Sequence, residues 1–143
     1  MQINIVKLDK DAKIPTHGSE GAAGYDLYVT NSADIPVGES TFFHTGIAMK
    51  IPHGYFGAIY PRSGMACKKG LRLSNSCAVI DEDYIGEIML SIHNDSKFAH
   101  RIEAGDRVAQ IVIQPYSSIS FYEVPVLEET KRSTNGFGST GIR

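Results

Sequence analysis

The sequence predicts an all-β fold, a jelly-roll-like antiparallel β barrel or sandwich with one short helix and a mobile C-terminal arm. Three observations predict it. Nine apolar or alternating runs of strand length recur along 143 residues. Glycine-bearing turns separate them at short intervals, which favours antiparallel neighbours over crossover helices. From about Leu127 the chain turns polar, glycine-rich and aperiodic.

In chain order the strand candidates are QINIVKL, YDLYVT, TFFHTGIAMKI, YFGAIY, CAVID, EIMLSIH, FAHRIE, RVAQIVIQ and ISFYEV. The turn segments IPVGE, IPHGY, DYIGE and EAGDR each carry a glycine, and in the first two a proline stands two residues ahead of it. RSGMACKKG is the helix candidate: Ser63 is placed to cap its amino end and Gly70 to stop it. These elements fit one β domain over residues 1–126, followed by an arm over 127–143 that carries no repeat.

Composition narrows the function classes. A chain of this length buries enough surface for one self-sufficient core. Fourteen Lys and Arg against sixteen Asp and Glu give a net charge of -2, so no global positive field draws long nucleic acids. Phosphate recognition, if present, is local. No apolar run approaches the ~20 residues of a membrane span. The first residues lack a signal or transit pattern, so the reading expects an intracellular, cytoplasmic protein, with nuclear or viral origin left open. Cys67 and Cys77 are too few for a disulfide framework or a thiolate zinc site, and the five histidines show no metal-ligand spacing.

Five segments hold chemistry-bearing residues. In AVIDEDYIGEIML an apolar strand runs into Asp81, Glu82 and Asp83, turns through Tyr84, Ile85 and Gly86, and returns as a second strand. This predicts a β-hairpin with acid at its tip. Alternation through Asp83 would put Asp81 and Asp83 on one face, and a carboxylate there could activate water. It could equally solvate a turn. In YPRSGMA, Arg62 and Ser63 stand at the mouth of the candidate helix, where unpaired N–H groups attract an anion; an ordinary cap and a solvated arginine would look alike. Gln110 interrupts the apolar run of AGDRVAQIVI, and Asp26 lies between aromatics in AAGYDLY, where a structural hydrogen-bond acceptor is the commoner role. The tail NGFGSTG matches the dinucleotide pattern G-x-G-x-x-G, but a Rossmann fingerprint needs a following helix, and only Ile142 and Arg143 remain.

Taken together and in order, AAGYDLY, PRSGMA, AVIDEDYIGE, GDRVAQIVI and RSTNGFGSTG resemble the five motifs of the trimeric dUTP diphosphatase (dUTPase) family. They run from Ala22 to Gly141. The resemblance implies a jelly-roll homotrimer with active sites shared between subunits, hydrolysing dUTP to dUMP and pyrophosphate by attack of water on the α-phosphorus. That activity limits uracil incorporation into DNA and supplies dUMP for thymidylate synthesis. Mg²⁺ is implied as cofactor, held through substrate phosphates and water rather than by protein ligands, with no nucleic-acid or membrane partner.

Residue by residue, the resemblance implies that Asp81 orients and deprotonates the attacking water and that Tyr84 packs against the deoxyribose. Arg62, Ser63, Gly64 and Gln110 would bind phosphates, with Asp26 in support. Asn75, the backbone of Ala78, Val79 and Ile80, and the main chain near Met89 would form the uracil pocket. From the arm, Arg132 would act as an arginine finger, Phe137 would stack on uracil, and Gly138, Ser139 and Thr140 would contact phosphate. Ala78 and Ser133 stand where the family usually has glycine. Two other readings stay open at this stage: a dCTP deaminase of the same general fold, which would release ammonia, and a nucleotide-binding module that signals without turnover.

Overall fold

A computed structural model describes residues 1–130 and 133–134. Among these residues eleven strands are present: β1 (Asn4–Lys7), β2 (Tyr25–Tyr28), β3 (Ala33–Ile35), β4 (Ser40–His44), β5 (Ile47–Lys50), β6 (Tyr55–Pro61), β7 (Leu71–Leu73), β8 (Ala78–Ile80), β9 (Met89–Asn94), β10 (His100–Ile102) and β11 (Arg107–Pro115). All pairings among them are antiparallel. A four-stranded sheet has the order β2-β11-β6-β8 and a three-stranded sheet the order β4-β9-β7; β1 pairs with β5, and β10 with β3. The all-β, jelly-roll-like reading of the sequence holds.

The strands form because each has one face to bury. In β9, Leu90 and Ile92 are buried while Met89, Ser91 and His93 are not, the period-2 alternation of a half-buried strand. One apolar cluster joins Leu27, Ile59 and Ile111 of the larger sheet to Phe43, Leu73, Leu90 and Ile92 of the smaller. Each such side chain contributes about 1.5–3 kcal/mol on burial. Asn94, fully buried, is satisfied by donating to the Ile35 and Phe98 carbonyls while its oxygen accepts from the Ser96 amide.

Five expectations are corrected. The run TFFHTGIAMKI is two strands in two sheets, because Gly46 takes φ +64° between them and redirects the chain. ISFYEV forms no strand: it has no partner among the described residues, and Ile119, Phe121 and Tyr122 are 69%, 94% and 90% exposed. Strands β3 and β7 were not anticipated, each being only three residues long. The acidic hairpin does not exist, since β8 pairs with β6 and β9 with β4 and β7. Strand β8 ends at Ile80, so Asp81 and Asp83 share no strand face; Asp81 instead opens a turn closed by the Tyr84 amide on its carbonyl, at 3.2 Å.

The helix is one π-type turn, Gly64–Lys68, and Ser63 makes no side-chain capping bond to it. Ser63 itself has helical φ and ψ, so its hydroxyl is not positioned over the first amides. Gly70 stops the turn as expected, with φ +66° and its amide bonded to the Ala66 carbonyl.

Candidate active site

Asp26 organises the first group of residues. It lies on β2, buried, and its two carboxylate oxygens take two arginines: Oδ1 is 2.8 Å from Arg62 Nε and Oδ2 is 3.0 Å from Arg107 Nη1. Arg62 also donates from Nη1 to the Arg107 carbonyl at 3.1 Å. The Arg62 guanidinium is therefore held in place rather than solvated, and a fixed guanidinium loses little entropy when it meets an oxyanion.

Arg107 is the residue that sequence reasoning missed, and the reason is a bulge. In a regular strand, residues 107 and 110 face opposite sides. Between Arg107 and Ala109 the β11–β2 register slips, so Val108 is the extra residue and both Val108 and Ala109 are buried. The slip brings Arg107 and Gln110 onto one side, where both line an open cavity of about 590 Å³. Nothing in GDRVAQ announces that bulge.

The same cavity is lined by Gly24, Asp26, Arg62, Ser63, Gly64, Lys69 and Asp106. Gln110 donates from Nε2 to the Pro61 carbonyl at 3.1 Å, which turns its oxygen toward Gly24; a Cβ at Gly24 would occupy the space of that oxygen. Three cationic side chains against two carboxylates leave the cavity locally positive in a chain of net charge -2. Such a concavity suits a polyanion of modest size.

The second group lies elsewhere. Asp81 and Val79 line a different cavity, also about 590 Å³, with Phe56, Glu82, Asp83 and Tyr116, and the two cavities share no lining residue. Glu82 braces this turn: its carboxylate accepts from the Gly54 amide at 2.7 Å and meets His53 Nδ1 at 2.8 Å, while its carbonyl accepts from Lys50 Nζ. Those bonds, the His53 contact foremost and then the Gly54 amide, hold the Glu82 carboxyl below the ordinary glutamate range.

Strand β8 is the outer strand of its sheet, paired on one side only by β6. Its other edge leaves alternate backbone N–H and C=O groups open to a flat polar ligand. Ala78 and Ile80 pack against the core while Val79 is 60% exposed, so the extra methyl of Ala78 goes to the core rather than into that edge. Met89 begins β9 in the other sheet and pairs with His44; Asn75 is exposed in the preceding turn. The link from Asp81 to Ile88 thus crosses between sheets, and Tyr84 stands on it, 45% exposed.

Of the residues singled out from sequence, one cavity collects Asp26, Arg62, Ser63, Gly64 and Gln110, and the β8 region collects Val79, Ala78, Ile80 and Asp81. Arg132, Phe137, Gly138, Ser139 and Thr140 lie outside the described residues. Among the described residues no three His, Cys, Asp or Glu are gathered for a metal, and both Asp26 oxygens are committed to arginines.

A family model described as dUTPase matches residues 10–141. The deoxyuridine 5'-triphosphate nucleotidohydrolase of Corynebacterium glutamicum is 43% identical over 140 residues, 97% of this chain and 94% of that protein. Its counterpart from a Hydrogenobaculum species is 42% identical over 144 residues and spans both chains completely. Among solved structures, the dUTPase of Staphylococcus bacteriophage 80alpha with dUpNHpp superposes with a TM-score of 0.91 at 27% identity, covering 99% of each chain.

Proposed function

This chain belongs to the dUTPase family, and from that premise we propose that it hydrolyses dUTP to dUMP and pyrophosphate by attack of water on the α-phosphorus, as a homotrimer with shared sites. One observation carries the reading furthest: a single subunit holds two complementary half-sites that do not meet. A cavity fitted for phosphates contains Arg62, Arg107 and Gln110, and a separate edge fitted for a base ends in Asp81. Two halves on one surface make one site when copies associate about a closed axis.

In this mechanism the protein supplies positioning and charge. Arg62 and Gln110, with Ser63 and Gly64, cradle the triphosphate; Arg107 shares the task, and Asp26 keeps both arginines aimed. Asp81 aligns one water and accepts its proton. Uracil pairs with the open edge of β8 beside Asn75 and Met89. Cytosine would leave those backbone groups mismatched, and polar complementarity of this kind discriminates by about 10⁴–10⁵. Tyr84 lies along the deoxyribose. From the arm, Phe137 covers the base, Gly138, Ser139 and Thr140 reach phosphate, and Arg132 acts as a finger of the type that contributes ~10³–10⁵ in rate.

Mg²⁺ would be carried on phosphate oxygens and water rather than on Asp26, whose two carboxylate oxygens are already paired with arginines. When bound, the ion neutralises and orients the triphosphate. Removal of dUTP limits uracil incorporation into DNA and provides dUMP for thymidylate synthesis.

The test is pyrophosphate release from dUTP, dTTP, dCTP and UTP, with and without Mg²⁺. Release from dUTP alone, and dependent on Mg²⁺, is expected. Ammonia from dCTP, or tight binding without any turnover, would replace this reading.

A further inference from the structure

Gly86 occupies its turn for a reason other than backbone freedom. Five glycines among the described residues have positive φ, and Gly86 is not one of them, so an L-residue fits its backbone. The three atoms nearest to an added Cβ all belong to Tyr84: Oη at 2.6 Å, Cζ at 2.7 Å and Cε2 at 3.0 Å. The tyrosine ring reaches forward two residues along the chain and rests in the space left by the missing Cβ.

The far end of that ring is tied down. Tyr84 Oη donates to the Glu87 carbonyl at 2.8 Å. Glu87 is itself fixed: its carboxylate accepts from the Gly46 amide at 2.8 Å and meets His44 Nδ1 at 2.9 Å, and the next residue, Ile88, donates to the Ile47 carbonyl. The anchor of the ring therefore belongs to the β4–β5 corner, a packed element, although the ring is nearly half exposed.

We infer that Gly86 is a specificity-determining residue: its missing Cβ lets Tyr84 lie flat and anchored, as the wall that separates a deoxyribose from a ribose. This rests on the proposed contact between Tyr84 and the sugar. A wall rejects a bulkier ligand only by as much as it costs to move the wall. With a methyl at Gly86, Tyr84 cannot keep its place or its bond to Glu87, and an unanchored ring yields to a 2′-hydroxyl. The displaced atoms are the far end of an exposed side chain, so the fold is spared.

The experiment compares wild type, Gly86→Ala, Tyr84→Ala and the double variant by the ratio of kcat/KM for dUTP to that for UTP. Gly86→Ala is expected to lower the ratio about tenfold, the scale of one lost hydrogen bond, with Tm within about 2 °C of wild type. In the Tyr84→Ala background the same substitution should change nothing further, because its target is gone. If turnover is too slow, calorimetric binding of the α,β-imido analogues of dUTP and UTP gives the same ratio. An unchanged ratio in Gly86→Ala, with a lowered one in Tyr84→Ala, overturns the role of Gly86 and leaves that of Tyr84 standing. A wild-type ratio in Tyr84→Ala removes the sugar contact itself. Equal effects of Gly86→Ala in both backgrounds overturn the inference as well, since the methyl would then act through something other than the ring.

Discussion

Asp81 and Glu82 are adjacent, yet they do different work. Glu82 spends its carboxylate on the Gly54 amide and His53, which fixes the turn, while Asp81 contributes to the cavity wall. Asp81→Asn is therefore expected to bind dUTP while losing nearly all turnover; single-turnover rates with a binding isotherm check this, and wild-type turnover would remove Asp81 from the base role. For Glu82 the prediction concerns stability. Its folded-state pKa is lowered, so its stabilisation is present above the unfolded value and disappears as pH falls through the folded one, below about 4.3. Thermal melts of Glu82→Gln should lie below wild type at pH 6–7 and converge with it only as the pH falls through the lowered folded-state pKa, on the acid side of the ordinary glutamate value. A gap that is the same at every pH would rule out the carboxylate as its origin. The types of these residues were legible in DEDYIGE. Their division of labour was not, because it depends on His53 and Gly54, which lie far back in the chain.

At the scale of elements, alternation was a good guide where a strand has one buried face within the chain, as in β9. It failed where a local device broke the period. The bulge at Val108 put Arg107 beside Gln110, and Gly46 cut one apolar run into β4 and β5. ISFYEV has the right pattern but no strand partner among the described residues, and a pattern without a partner makes no strand. The corner at Gly46 gives an element-scale prediction. An alanine there combines φ +64° with a Cβ 2.7 Å from Asp9 Cβ and 2.9 Å from Ala12 Cβ, neither of which is a flexible end. Strain and overpacking together should cost roughly 2–4 kcal/mol, lowering Tm by about 5–15 °C. A melt within 2 °C of wild type would show that the corner relaxes freely. The same corner holds Glu87, so dUTP-to-UTP discrimination should fall with it.

For the whole molecule, the sequence carried the family, because motif order survives without knowledge of contacts. It could not indicate that those residues fall into two separate cavities, since that depends on which sheet each strand joins. Two predictions belong here. The native mass should be three times the 15.6 kDa subunit by light scattering; a monomer with full activity would contradict the shared site. Removal of residues from Gly136 onward should leave Tm and mass of the β domain intact while kcat falls by at least about a hundredfold, the scale of misplaced positioning groups. Full activity in that truncation would discard the role proposed for Phe137 and the residues after it.

Strand β11 lies between β2 and β6, although among the described residues it is the last strand in chain order. Until Pro115 has left the ribosome, β2 has no neighbour to join in the large sheet, and Asp26 cannot hold Arg62 and Arg107 together. Completing the large sheet therefore requires a non-local insertion rather than growth from one end, a slow kind of step that leaves strand edges open while it waits. During that interval the nascent chain is both unable to grip a nucleotide and most in need of a chaperone, and recovery of nucleotide binding in refolding would time the arrival of its last strand.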